Sequence, residues 1–390
     1  MSKPSNKNIS RNTALLSDKA HSKDAVAPPI YQTSLFSFKD YAALESAYCG
    51  ETEHAIYSRV GNPTVALLEE KISNLEGGEA AIAYSSGMGA ISNAILGLIE
   101  HGDRVVAVKH IYPDTYRLLK SHCGKFGVTT DIVEGHDLDA IEEKLPGATL
   151  LYLESPNTFM MEEQNLGAIA ALAKKHGVIT LIDNSWASPI YQNPIEHGID
   201  IVLHSASKYI SGHSDVVAGI AVGPKELMDD IKNNTGTLLG AKLSAHEAGL
   251  ILRGLRTLPI RLKQHQENAL YLIEKLQKHA SVTKIHHPAT NENEYSALKG
   301  YGSLMSIELA EDINIPAFCD ALDFFKIGVS WGVYESLVMP AIAAIKRGGE
   351  YATVIDFDVS DRLVRLFIGL EDKEDLWSDM EGGLEQAKIK

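Results

Sequence analysis

The segment GVITLIDNSWASPIYQNPIEHGIDIVLHSASKYISGHSDVVAG, Gly177 to Gly219, holds two short apolar runs, VITLID and DIVLHS. Each run breaks off abruptly into small polar residues. Apolar, β-branched runs bounded in this way read as buried strands of a parallel sheet. The first run ends on Asp183, and the second leads into Ser205, Ser207 and Lys208. An acid and a lysine at the exits of neighbouring strands stand where open α/β sheets bind their ligands. The expected fold class is therefore α/β.

These side chains have a chemistry in common. A lysine amine can condense with an aldehyde, and pyridoxal phosphate also needs a carboxylate facing its pyridine nitrogen. Hydroxyls one and three residues before the lysine can hold a phosphate. An Asp and a Lys alone occur in any α/β protein, so the weight rests on the whole string. SASKYISGHSD resembles the lysine motif of the Cys/Met metabolism family of pyridoxal phosphate enzymes (trans-sulfuration enzymes). The resemblance runs across nearly the whole chain. It implies a PLP-dependent transferase fold of the aspartate aminotransferase type (fold type I): a mostly parallel sheet sandwiched by helices, plus a smaller C-terminal α/β domain. It also implies Lys208 as the Schiff-base lysine and Asp183 as the partner of the ring nitrogen.

The chain has 390 residues, long enough for two domains and a substantial core. The formal charge of −15 speaks against nonspecific nucleic-acid binding. The apolar runs stop short of membrane-spanning length, and MSKPSNKNIS lacks the apolar stretch of a signal peptide. Cys49, Cys123 and Cys319 are widely separated, with neither a metal spacing nor a pairing scheme, so a cytoplasmic location is expected. The 15 histidines include no compact ligand set, and no metal is expected. No glycine-rich dinucleotide fingerprint follows a strand.

Residues 1–60 do not read as a compact unit. In PPIYQTSLFSF, Pro28 and Pro29 discourage helix, and the apolar residues need a partner. The arm either folds back on its own domain or lies on a neighbouring subunit; the resemblance implies the second. YSRVGNPT supplies Tyr57 and Arg59, a hydroxyl donor and a forked cation. The resemblance implies that they reach the phosphate across a dimer interface. Family members are commonly tetramers of two catalytic dimers, so a homo-oligomer is expected.

Residues 61–253 read as the large cofactor-binding domain. Pro63 opens an amphipathic helix that Gly77 and Gly78 stop. AAIAYSS then runs through Gly87 and Gly89 into a second helix. A strand, a glycine turn and a helix N-terminus present free N–H groups to an anion. The resemblance places Ser86, Gly87 and Met88 around the cofactor phosphate. In DRVVAVKHIYPDTYRLL, Tyr112 matches the family tyrosine that stacks on the ring and, when deprotonated, can accept a proton from the incoming amine. Tyr116 competes with it locally. Asp114 stands where related γ-lyases and synthases carry small residues or cysteine, and receives no role. The next carboxyl edge reads ESPNTFMMEE from Glu154, where many γ-acting relatives read SPTNP. Asn157 and Thr158 either contact substrate or cap their own loop.

Residues 254–390 are expected to form the C-terminal domain, with a linking helix broken near Pro259. Arg253, Arg256 and Arg261 mark a positive helical face suited to ion pairs. In LVRLFIGLED, Arg365 matches the family residue for the substrate α-carboxylate, with Arg362 as its rival; a bidentate arginine suits that task. Ser330 and Trp331 of VSWGVYESL are candidate substrate contacts. DNSWA, containing Trp186, and SWGxYESL resemble bacterial cystathionine β-lyase more than its γ-acting relatives, although Val333 replaces the usual second glycine.

The expected activity is thus β-cleavage of the carbon–sulfur bond of L-cystathionine or a related cysteine S-conjugate, giving a thiol (homocysteine), pyruvate and ammonia. Cystathionine or methionine γ-lyase and cystathionine γ-synthase chemistry stand as alternatives. A silent binding protein would have lost Lys208, Asp183 or Tyr112, and all three are present.

Overall fold

The computed structural model describes residues 10–16, 25–291 and 293–389. Parts of the expected arm, residues 1–9 and 17–24, lie outside the described residues.

Seven strands build the first sheet, in the order β1-β7-β6-β5-β4-β2-β3. In chain order they are β1 (Ala80–Tyr84), β2 (Arg104–Val108), β3 (Thr129–Val133), β4 (Leu150–Glu154), β5 (Ile179–Asp183), β6 (Ile201–His204) and β7 (Gly219–Gly223). The block β3-β2-β4-β5-β6 is parallel, while β7 runs antiparallel to both β6 and β1. β4 and β6 are buried along their whole length, which is why they read as continuous apolar runs. Register then delivers the polar ends together: Glu154 pairs with Asp183, and Asp183 with Leu203, at the carboxyl edge.

Local chemistry sets the helices that flank this sheet. Asn62 caps the Pro63–Glu76 helix by accepting from the Thr64 N–H, and Gly77 ends it at φ 82°, a left-handed conformation that glycine adopts without a Cβ penalty. Ser86 caps the Gly87–Leu98 helix by accepting from the Gly89 N–H. The linking segment divides into the helices Ala245–Leu255 and Leu258–Leu276, with Pro259 in the first turn of the second, where its missing N–H costs nothing.

The second sheet, in the smaller C-terminal part, is mostly antiparallel. Its order is β10-β11-β12-β9-β8, comprising β8 (Val282–His286), β9 (Leu304–Leu309), β10 (Lys326–Ile327), β11 (Leu337–Pro340) and β12 (Leu363–Phe367). Only the short β10–β11 pair is parallel. The Leu258–Leu276, Ile315–Ala321 and Lys373–Gln386 helices share one apolar core with this sheet. Within this sheet β11 and β12 are paired antiparallel, with Met339 opposite Arg365.

The arginine face of the linker also differs from expectation. Arg261 is buried, and its guanidinium donates to the carbonyls of Ile210 and Gly254 rather than to a carboxylate. Backbone oxygens at the ends of neighbouring segments accept from its Nη2, and the Thr257 hydroxyl accepts from its Nε. Among the described residues no helix is long and apolar enough to cross a membrane, and no group of His, Cys, Asp and Glu side chains could hold a metal ion. All three cysteines are free thiols, with Cys123 and Cys319 buried.

Candidate active site

Lys208 lies four residues beyond β6, and its Nζ donates to Ser330 Oγ at 2.9 Å. The same Nζ sits 5.4 Å from the Trp331 ring centroid. A lysine from the first sheet thus meets a serine and a tryptophan from the segment before β11. Gly332 makes the approach possible, since a Cβ there would stand 2.7 Å from both Lys208 Cβ and the Tyr209 nitrogen, and its φ is 78°. Burial and nearby Arg365 push the Lys208 amine down to about 8, close to the range of a working base.

Asp183 ends β5 and accepts from the Ser185 N–H at 2.9 Å. Burial raises its carboxyl, and Ser185, His204 and Lys208 oppose that rise. Its strand neighbour Glu154 is also pushed up, by burial and by Asp183. Two buried carboxyls side by side discourage each other's ionisation, and a cation placed between strand ends would relieve both. Glu154 in turn holds the next loop by accepting from the Tyr112 N–H at 2.6 Å and from the Thr158 hydroxyl.

Arg365 lies in β12 and donates to the Val329 carbonyl at 2.7 Å. Burial lowers it to about 10, while Tyr112 favours its charge. Arg362 is occupied differently, donating to the carbonyls of Leu309, Ala310 and Ile313. Tyr112 precedes the Pro113–Arg117 helix, and its phenol donates to Asp114 Oδ2 at 3.3 Å. Burial, then Asp114, raises the phenol, so the deprotonated form anticipated for Tyr112 is disfavoured here. Tyr116 turns away and donates to Asp356.

The glycine turn forms a close-packed cradle. A Cβ on Gly219 would stand 2.1 Å from the Ser86 carbonyl oxygen, and one on Gly87 3.0 Å from Ser205 Oγ. Ser86, Gly87 and Ser205 therefore converge beside the sheet edge, while Met88, next in the helix, packs on the apolar core of the first sheet. Ser207 has its hydroxyl already engaged, donating to the Ala218 carbonyl and accepting from the Ala218 N–H. Tyr57 and Arg59 stand apart on the exposed surface, where Arg59 donates to the Thr237 carbonyl.

Trp186 and Asn157 resolve into structural roles. Trp186 is buried, its indole N–H donating to the Leu304 carbonyl at 3.1 Å. Asn157 exchanges hydrogen bonds with Glu162. His204 lies fully buried against Glu76 at 2.5 Å, and Asn184 donates to the same carboxylate. Phe159 was not singled out from the sequence: it is buried at φ 66°, its ring centroid 5.8 Å from the Arg365 Cζ.

A basic half-buried lysine, a carboxylate waiting for a cation and an anion cradle of backbone N–H groups fit pyridoxal phosphate. Lys208 would hold its aldehyde carbon, Asp183 its ring nitrogen, and the Ser86–Met88 turn with Ser205 its phosphate.

Comparison with known proteins agrees. The family model described as Cys/Met metabolism PLP-dependent enzyme matches residues 12–385. L-methionine gamma-lyase of Pseudomonas putida is 37% identical over 371 residues, covering 93% of both chains. Cystathionine beta-lyase of Lactococcus lactis subsp. cremoris is 35% identical over 376 residues, covering 93% of this chain and 94% of the relative. Among solved structures, cystathionine gamma synthase from Xanthomonas oryzae pv. oryzae superposes with a TM-score of 0.90 at 33% identity, covering 98% of this chain and 99% of that one. Cystathionine gamma-lyase from Lactobacillus plantarum also superposes with a TM-score of 0.90, at 32% identity, covering 97% and 99%. With near full-length coverage by sequence and fold, and a site that suits the cofactor, the chain belongs to the Cys/Met metabolism family of PLP-dependent enzymes.

Proposed function

We propose that this PLP-dependent enzyme breaks the Cγ–S bond of an L-amino-acid thioether such as cystathionine. The supporting observation is Lys208: its amine is basic near neutrality, and its hydrogen bond goes to a neutral hydroxyl. Elimination at Cγ needs one base to act first at Cα and then at Cβ, and an amine without a fixed carboxylate partner is free to do both. When bound, the cofactor supplies an electron-accepting ring that stabilises charge at Cα. Arg365 holds the α-carboxylate, Asp183 keeps the ring nitrogen protonated, and Lys208 carries the protons. The thiol then departs from Cγ. Tyr57 and Arg59 would serve the phosphate of a neighbouring subunit's cofactor, which makes the working unit at least a dimer and, by analogy, a tetramer.

The β-cleavage expected from the tryptophan motifs loses part of its support, because Trp186 packs inside the protein. Several relatives bear γ-lyase names, and the similar structures include a γ-synthase and a γ-lyase. Trp331, against the lysine amine, keeps β-elimination as the second reading. Hydrogen exchange separates them. Holoenzyme in D2O with L-methionine should wash deuterium into both Cα and Cβ of recovered substrate, read by NMR. Exchange at Cα alone would count against γ-chemistry.

A further inference from the structure

We propose that Phe159 is a positioning residue for the substrate carboxylate: its ring braces the Arg365 guanidinium from within the loop that follows β4. This inference rests on the reading of Arg365 as the carboxylate arginine.

Three independent features single out Phe159. Its φ of 66° is a left-handed conformation in which a bulky side chain is costly. Such strain persists where the surroundings hold it in place. The side chain is 4% exposed, packed with Ala341, Val354, Val359 and Leu363 from the segments around β12. And the ring centroid lies 5.8 Å from the Arg365 Cζ. Leu363 and Arg365 are two residues apart on one strand and so share a face, the one against which Phe159 packs.

The chemistry explains why an aromatic ring suits this place. Arg365 is a half-buried cation whose hydrogen bond goes to the Val329 carbonyl, a neutral acceptor. A carboxylate partner would compete with substrate for the guanidinium. A ring face stabilises the charge without using its N–H groups, leaving the planar fork to an incoming carboxylate.

Binding of glycine and of glycinamide to the holoenzyme, followed by calorimetry, tests the proposal without turnover. Phe159→Leu and Phe159→Met keep an apolar side chain and lose the ring, and two variants guard against one failing to fold. Each should weaken glycine about threefold to tenfold relative to wild type while leaving glycinamide unchanged. Phe159→Tyr should restore glycine binding. Equal losses for glycine and glycinamide, or no loss for glycine, would overturn the role of Phe159. Arg365→Ala is the control on the underlying reading. If it leaves the glycine-to-glycinamide ratio intact, Arg365 does not hold the carboxylate and both readings fall. If it collapses the ratio while the Phe159 variants do not, only the Phe159 proposal fails.

Discussion

At the scale of single residues, Asp114 stands directly against the phenol of Tyr112. It accepts the Tyr112 phenol and also pairs with Arg117 at 2.9 Å. A negative partner keeps the phenol protonated. Replacing it by Asp114→Asn removes a charge that raises the phenol, so Tyr112 deprotonates more readily. If a Tyr112 phenolate takes the substrate's amine proton, the acidic limb of the kcat/KM profile moves toward lower pH in that variant. An unmoved limb would detach Tyr112 from that proton. The two tryptophans call for opposite outcomes. Trp186→Ala should cost about 3–5 kcal/mol of stability, seen as a lower unfolding midpoint, through loss of a buried ring. Trp331→Ala should leave folding nearly intact and change the relative kcat/KM among thioether substrates, because this ring faces the lysine.

At the scale of elements, the strand ends and the glycine turn build the site, and both were readable from the sequence. VITLID and DIVLHS form neighbouring strands, and their polar ends are where the register brings Glu154, Asp183 and the Lys208 loop together. Gly219→Ala tests the cradle: a methyl group 2.1 Å from the Ser86 carbonyl must push β7 and the turn apart. Overpacking of that kind costs about 1–3 kcal/mol. Affinity for the cofactor, measured by titrating cofactor-free protein, should fall about tenfold or more. What the sequence did not disclose has physical reasons. Phe159 adopts a left-handed conformation against its own preference, so no propensity points to it. Trp186 and Trp331 sit in equally motif-like strings, and only packing separates a buried indole from one beside the amine. Arg261 looked like one of a charged helical face, yet its partners are carbonyls brought near by tertiary folding. The second sheet hid its antiparallel pairing because its strands are short and only imperfectly alternating.

At the scale of the whole molecule, one chain gathers Lys208, Asp183, Ser330, Trp331 and Arg365 but leaves Tyr57 and Arg59 on its surface. If those two complete a neighbour's site, Arg59→Ala and Lys208→Ala should each be nearly inactive alone. Unfolded together and refolded as a mixture, they should regain activity, because a hybrid dimer holds one undamaged site. A mixture as inactive as its parts would place Arg59 outside the catalytic unit. The products formed from L-cystathionine reveal which carbon–sulfur bond the enzyme breaks. The holoenzyme should release 2-oxobutyrate, ammonia and cysteine. Pyruvate with homocysteine would contradict cleavage at Cγ.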